Sequence, residues 1–199
     1  MALRLCLDVN VWVSYYLAIA RGRGLNTAAS GLAGAVFAGT CRLGAVQLVI
    51  SHAMLTTLAL VLRRMPVTTQ FADMACDQIE AAAGRGHLAE PPSIILGGSA
   101  ANAMLDQKDA AVLNAALAGQ SDLFVTSNID DFIRGSRART RTTVLSLQDG
   151  QPDVFRLSHP KIRDGLTVAT PFKAASWVLR GERLSPGALP RLFSPADEA

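Results

Sequence analysis

The feature that most constrains the fold is an alternation between short apolar runs and longer helical segments. The first run, Leu3–Leu7, ends at Asp8, and the second, Val46–Ile50, ends at Ser51. Further strand candidates lie at residues 93–96, 123–126 and 143–147. Short apolar strands separated by helices are typical of a parallel sheet that is covered on both faces. The pattern therefore predicts an α/β fold, a three-layer α/β/α sandwich with a mainly parallel central sheet.

Helical segments are predicted between these strands. The first spans about residues 10–20, the second residues 27–37 and another residues 68–84. Ser51 is a favourable N-cap residue at the end of the second apolar run. Behind it, apolar residues recur at helical spacing: Met54, Leu55, Leu58, Val61 and Leu62.

The pattern changes after about residue 150. Apolar residues become loosely spaced, and then Pro171–Arg180 has the composition of one short helix. Three prolines, Pro186, Pro190 and Pro195, predict an extended or flexible tail. We therefore expect a main domain over residues 1–150 and a C-terminal extension over residues 151–199.

Composition excludes several classes of protein. The 199 residues are 50% hydrophobic and 18% charged, which suits a folded domain with a real core. The longest mostly apolar stretch, Gly44–Leu62, is interrupted by polar residues, so no membrane span is predicted. Asp8 and Asn10 interrupt the N-terminal segment where a signal peptide needs an apolar run. Three cysteines without paired spacing argue against a disulfide scaffold, so we expect a cytoplasmic protein.

Polar residues follow the predicted strands, at the sheet edge where sites of such folds lie. Asp8 and Asn10 follow the first strand, and Asp106 and Asp109 open a later helix. A third group follows the strand at 123–126: Ser127, Asn128, Asp130 and Asp131. Clustered carboxylates repel one another unless a cation lies between them, and all-oxygen ligands select Mg²⁺ or Mn²⁺. The sequence thus predicts a metal site that can polarise a phosphoryl oxygen and activate water.

A purely structural interpretation stays open for each group taken alone. Asp8 could simply cap the following helix, and the pairs Asp106/Asp109 and Asn128/Asp131 could be capping arrangements with favourable helix-dipole charge. The metal-site hypothesis depends on the groups occurring together.

Four segments resemble the PIN-domain family, the nuclease fold of VapC-like toxin ribonucleases from toxin–antitoxin pairs. Leu5–Ser14 is similar to the family's opening, in which a strand ends in Asp-x-Asn before a helix. Ser51–Arg63, Asp106–Ala118 and Asp122–Phe132 resemble the second, third and fourth segments, in the family's order. The resemblance covers about residues 3–147.

This resemblance implies divalent-metal-dependent hydrolysis of phosphodiester bonds, most often in RNA, with Mg²⁺ or Mn²⁺ as the cofactor. The implied catalytic residues are Asp8, Asp109, Asn128 and Asp131, and the three aspartates among them would hold the metal. The implied substrate-orienting residues are Asn10, Thr126 and Ser127.

One position departs from the family's pattern. The second segment usually carries a glutamate ligand just before the leucine that matches Leu58, and this chain has Thr57 there. A hydroxyl is a weaker ligand than a carboxylate, so metal affinity should fall. Two possibilities stay open: an endoribonuclease with a weakened metal site, or a degenerate PIN-like module that binds RNA or a protein partner. A phosphotransferase of the haloacid-dehalogenase type fits less well, because it needs a second aspartate where Asn10 stands.

The expected partners are RNA and proteins. The chain has a formal net charge of +3, which permits a polyanionic partner. Four arginines within eight residues could hold a phosphate backbone, although a solvated loop is the alternative: Arg134, Arg137, Arg139 and Arg141. An antitoxin would be the partner implied by the resemblance to toxins. The apolar first half suggests a covered face, most simply a homodimer.

Overall fold

The computed structural model describes residues 2–22, 26–85, 94–95, 107–136, 141–148, 151–159 and 162–181. Within these ranges the chain forms seven helices and eight strands. The helices are α1 (Val9–Ala20), α2 (Ala28–Ala38), α3 (His52–Arg63), α4 (Thr69–Arg85), α5 (Gln107–Ala118), α6 (Ile129–Ser136) and α7 (Pro171–Arg180). The strands are β1 (Leu3–Leu7), β2 (Thr40–Cys41), β3 (Gly44–Ser51), β4 (Ile94–Ile95), β5 (Leu123–Val125), β6 (Arg141–Gln148), β7 (Gln151–His159) and β8 (Ile162–Ala169).

The strands form one sheet in the order β2-β3-β1-β5-β8-β7-β6, with β4 paired to the end of β3. β1 lies inside the sheet and pairs in parallel with β3 and β5. β3 with β4 and β5 with β8 are also parallel, whereas β2, β6 and β7 join the sheet by antiparallel pairing. The prediction of an α/β sandwich with a mainly parallel central sheet is confirmed.

Local sequence signals explain where the helices begin and end. The side chains of Thr27, Ser51 and Thr170 each accept a hydrogen bond from the backbone N–H three residues on, at 3.1, 3.2 and 3.4 Å. Such caps satisfy N–H groups that the first turn of a helix leaves unpaired. Gly39 and Gly181 end α2 and α7 in the left-handed conformation, with φ of 67° and 69°. The predicted N-cap at Ser51 is thus confirmed.

The hydrophobic core is centred on β1, where Leu5, Cys6 and Leu7 are fully buried. Trp12 of α1 and Trp177 of α7 are the largest buried side chains that pack in this core. No helix in the described ranges is long and apolar enough to cross a membrane.

The segment after residue 150 contains more regular structure than we expected. The predicted helix is present as α7, but β7 and β8 precede it. β8 pairs with β5 in parallel, with Leu123 opposite Thr167 and Val125 opposite Ala169. The domain boundary near residue 150 stays a prediction, and the predicted tail lies outside the described residues.

Candidate active site

The candidate site begins where β1 and β5 end side by side. Leu7 pairs with Val125, so the residues that follow, Asp8 and Thr126, are neighbours at the carboxyl edge of the sheet. The backbone N–H of Asp8 donates to the carbonyl of Val125 at 2.9 Å. The Asp8 carboxylate and the Thr126 hydroxyl, which are 118 residues apart in sequence, therefore lie within hydrogen-bonding distance.

In the described part of the chain, three donors hold the Asp8 carboxylate, which is only 7% exposed. Its Oδ1 accepts from the backbone N–H of Val9 at 2.6 Å. Its Oδ2 accepts from Asn10 Nδ2 and from Thr126 Oγ1, both at 2.7 Å. Charge-assisted hydrogen bonds of this length stabilise the anion and fix its orientation. Asp8 therefore caps α1 with one oxygen and joins a side-chain network with the other.

The same network orders the residues after β5. Asn10 Nδ2 also lies 3.2 Å from Thr126 Oγ1, and Asn10 Oδ1 accepts from the backbone N–H of Ser127 at 3.2 Å. The hydroxyl oxygen of Thr126 accepts in turn from the N–H of Asn128 at 3.0 Å. Thr126 is fully buried, so its hydroxyl acts as a fixed centre for this cluster. Five of the sequence-predicted site residues are thus brought together.

A cleft of about 700 Å³ opens beside this cluster. Its polar lining includes Asp8, Asn10, Ser14, Thr57 and Asn128. The remaining lining residues are aliphatic or alanine and come from α1, α3 and α5: Val9, Val13, Ala53, Met54, Val61, Ala111 and Val112. Of the residues described around the cleft, none is a lysine or an arginine.

Thr57 is exposed on α3 and lines this cleft. Its hydroxyl donates to the carbonyl of Ala53 at 2.8 Å, one helical turn earlier. That bond uses the hydroxyl proton and leaves oxygen lone pairs on the exposed side chain. Thr57 can therefore offer the cleft only a neutral acceptor.

The structure gives fewer contacts for Asp109 and Asp131, the two other predicted metal ligands. Asp109 is the third residue of α5, a helix whose Ala111 and Val112 line the cleft. Asp131 is exposed in the first turn of α6, where its N–H donates to the carbonyl of Asn128 at 3.1 Å, and it does not line the cleft.

The predicted arginine tract is only partly described. Arg134 lies on α6, and Arg141 is the first residue of β6. Asp106, Arg137 and Arg139 lie outside the described residues.

The donor set at the cleft fits a hard divalent cation. Asp8, Thr57 and Asn128 offer carboxylate, hydroxyl and amide oxygens, which suit Mg²⁺ or Mn²⁺ rather than zinc. Among the side chains that the structure describes, no three from His, Cys, Asp or Glu lie close enough to hold an ion. The side chain of Asp109 does not belong to that described part.

Cys6, two residues before Asp8, is unsuited to nucleophilic chemistry. Burial raises the pKa of its thiol well above the ordinary value of 9.0, and the negative charge of Asp8 raises it further. A neutral, fully buried thiol is a poor nucleophile. Cys6 is therefore not a candidate nucleophile at this edge.

The aliphatic residues that line the cleft were not identified as such from the sequence. Ala53, Thr57 and Val61 recur every four residues and so lie on one face of α3, and Val9 and Val13 do the same on α1. That spacing was visible, but it equally describes a helix face that packs in the core. Only the placement of the helices shows which apolar face is open.

A sequence model of the PIN domain matches residues 4–130. The chain belongs to the PIN-domain family. Searches of curated proteins and of solved structures gave no match. PIN domains are typically nucleases, generally use divalent metals and generally bind RNA. The matched range begins in β1 and ends in the first turn of α6, so it contains Asp8, Asn10, Thr57, Asp109 and Asn128.

Proposed function

We propose that this PIN domain is a divalent-metal-dependent endoribonuclease that hydrolyses RNA phosphodiester bonds. The observation that carries the proposal is the buried Asp8 carboxylate, held by three donors at the edge of an open cleft. A carboxylate fixed in this way is preorganised to bind a cation, because little ordering remains to be done when the ion arrives.

In this proposal Asp8 and Asp109 hold Mg²⁺ or Mn²⁺, and Asn128 completes the catalytic set. Asp131, which the resemblance also implies as a ligand, lies outside the cleft lining and would have to reach the ion from the first turn of α6. The bound ion would polarise a phosphoryl oxygen and supply an activated water. Asn10 and Thr126 keep Asp8 in one orientation through hydrogen bonds of 2.7 Å. Ser127 is exposed beside them and can donate its hydroxyl to the substrate.

The RNA backbone would be bound outside the cleft, since no cationic side chain is described among its lining residues. We assign this role to the arginine tract at residues 134–141, with Arg134, Arg137, Arg139 and Arg141 holding phosphates.

The proposal includes a biological setting. All three cysteines are free, which suits a reducing cytoplasm. The toxin of a toxin–antitoxin pair is the setting that the sequence resemblance favours, with an antitoxin as protein partner. Large exposed apolar side chains such as Ile19 and Leu60 support a covered surface, for which a homodimer is the simplest arrangement.

A second candidate is a catalytically degenerate PIN-like module that binds RNA or a protein. Thr57 favours this second candidate, because at that position α3 contributes a neutral hydroxyl to the cleft in place of a carboxylate. The well-ordered carboxylate of Asp8 favours the nuclease, since an acid at an RNA-facing edge repels phosphate unless a cation is bound.

Cleavage of a mixed RNA pool tests the proposal, with Mg²⁺, Mn²⁺ or EDTA added. We expect the wild type to cut only with metal, and Asp8→Asn to lose cutting. Asp122→Asn is the matched control, because Asp122 is also buried but lies at the opposite end of β5, where it accepts from the N–H of Arg4.

Circular dichroism shows whether each variant is folded. Cutting that survives in folded Asp8→Asn would refute the proposed site. Absence of cutting by the wild type, with RNA still bound, would favour the binding module.

A further inference from the structure

A second groove, of about 550 Å³, lies between the N-terminal half of α2 and the exposed side of α7. Its lining includes Thr27 and Gly31 from the α2 side and Phe172, Lys173, Ser176 and Arg180 from α7. We propose that this groove is a second RNA-binding site, in which Phe172 stacks on a base while Lys173 and Arg180 contact phosphates. The inference rests on the proposed function, since it places here the single strand that extends from the cleft at Asp8.

Phe172 is exposed at the groove. Its side chain is 71% exposed, more than any other large apolar residue that the structure describes. It stands in the first turn of α7, whose start is fixed by the Thr170 cap and by Pro171. A phenyl ring on a rigid helix is a ready platform for a base, because every nucleobase offers a π-face for stacking.

The charge of the groove is complementary to that of RNA. Lys173 and Arg180 line the groove, and none of its described lining residues is acidic. Asn26 adds a side-chain amide that can donate hydrogen bonds, whereas the hydroxyl of Ser176 already donates to the carbonyl of Lys173 at 2.8 Å. The cleft at Asp8 has the opposite character, with a carboxylate and no described cation. A polyanion that reacts at the cleft therefore needs cations elsewhere, and Lys173 and Arg180 are cationic residues that line this groove.

The carboxyl edge of the sheet runs from Asp8 to the start of α7. Leu7, Val125 and Ala169 pair across β1, β5 and β8, so the residues after them form one row at the carboxyl edge. Thr170, the cap of α7, is therefore two strands from Asp8, or about 10 Å at the usual spacing of about 4.8 Å. A single strand of a few nucleotides can span from the cleft to the first turn of α7.

The test measures RNA binding by the full chain without cleavage. A fluorescein-labelled dodecanucleotide of mixed sequence is titrated in EDTA and followed by anisotropy. We expect Phe172→Ala to weaken binding by about 5- to 100-fold, Phe172→Tyr to preserve it, and Phe172→Leu to behave like alanine because it lacks a ring. Lys173→Ala should reduce the slope of log K against log salt by roughly 0.7, as expected for one lost phosphate contact.

Met74→Ala is the matched control, because Met74 is also exposed, at 49%, but lies on α4 away from both the groove and the cleft. It should leave RNA affinity unchanged. Because the side chain of Phe172 is 71% exposed, its variants should fold. Light scattering reports the molecular mass of each variant.

Unchanged affinity in Phe172→Ala, with cutting still abolished by Asp8→Asn, would overturn this inference and leave the proposed nuclease intact. If leucine binds as well as phenylalanine, stacking is refuted. A drop in mass in Phe172→Ala would identify the groove as a contact between copies of the chain and overturn the assignment to RNA. Failure of the wild type to bind any RNA would overturn both proposals.

Discussion

At the scale of single residues, Asp8 shows how two interpretations of one sequence position can both apply. The sequence left open whether Asp8 caps α1 or belongs to a site. In the structure one oxygen accepts from the N–H of Val9, while the other joins Asn10 and Thr126 at the edge of the cleft. The cap holds the carboxylate where the cleft begins, so the local and the functional interpretations are compatible.

Thr57→Glu tests the weakened metal site. A carboxylate in place of the hydroxyl adds a charge to the cleft, and unit charges about 4 Å apart attract by about 1 kcal/mol even in water. We therefore expect Mn²⁺ to bind at least about fivefold more tightly, as measured by calorimetry.

Thr56→Glu is the control for this substitution. Thr56 is exposed on the same helix and donates to His52 at 2.9 Å just as Thr57 donates to Ala53, but it does not line the cleft. If the affinity for Mn²⁺ rose equally in both variants, the increase would be a general effect of charge, and the metal would bind away from Thr57.

Tyr16 gives a prediction about alkaline pH. Its hydroxyl donates to the carbonyl of Ala75 at 3.0 Å. Burial raises its pKa above the ordinary value of 10.0, and Tyr15 and Cys76 raise it further. Because the folded state holds the proton more tightly, this stability is complete below about pH 10 and is lost as the pH rises towards the raised pKa.

Tyr16→Phe should therefore unfold more easily at neutral pH, by about 1 kcal/mol for the lost hydrogen bond. Above about pH 10 the wild type should lose up to about 1.4 kcal/mol per pH unit through this group, and the variant should not. Urea unfolding across this range measures both curves. If the stability of the wild type and of the variant changed in parallel with pH, the ionisation of Tyr16 would not be coupled to unfolding.

At the scale of elements, the periodicity of the sequence located most helices and strands well. The predicted segments that were given bounds before residue 150 differ from the observed ones by at most two residues at either end. β7 and β8 were missed, because their apolar residues are irregularly spaced and β8 contains Asp164 and Gly165. Pairing with β5 on one side and β7 on the other makes β8 a strand, and no local signal shows those partners.

Substitution of two glycines by alanine should change the free energy of unfolding in opposite directions. The first, Gly119, lies where α5 packs against β3. A Cβ added to Gly119, just after α5, would collide with Val49 Cγ1 and come within 3.2 Å of the carbonyl of Ala115. Gly119→Ala should therefore lower the free energy of unfolding by about 1–3 kcal/mol.

Gly34→Ala, within α2, is the comparison. An added Cβ there meets nothing within 4 Å, and alanine favours the helix by about 0.5–1 kcal/mol. Urea unfolding should show Gly119→Ala less stable and Gly34→Ala more stable than the wild type. Equal effects would contradict the described packing of Gly119.

At the scale of the whole molecule, the order of strands decides which residues become neighbours. β1 lies between β3 and β5, and β8 continues the parallel part of the sheet beyond β5. The site therefore draws on residues from widely separated parts of the chain, and its edge continues to α7. Nothing in the local sequence of β8 or α7 indicates that they lie next to β5.

Truncation tests the proposed boundary at residue 150. A chain that ends there loses β7, β8 and α7 and with them several buried side chains, among them Phe155, Val168 and Trp177. Each fully buried side chain of this kind stabilises by about 1.5–3 kcal/mol, so their joint loss rivals the usual total stability of about 5–15 kcal/mol.

We expect the chain ending at residue 150 to lack a cooperative thermal transition, and the chain ending at residue 181 to retain one. Calorimetry makes the comparison. A cooperative transition in the shorter chain would establish residues 1–150 as a domain that folds alone.

The sequence by itself determined the features that depend on near neighbours. The alternation of apolar strands and helical segments predicted the α/β sandwich, and Ser51 predicted the start of α3. The spaced acidic segments indicated a PIN domain, which the family match confirms. Only the tertiary structure decided that Asp8 bonds to Thr126, which aliphatic faces wall the cleft, and that Phe172 stands exposed at the same sheet edge. Caps and helical periodicity act over a few residues, whereas strand pairing and helix packing depend on partners more than a hundred residues away.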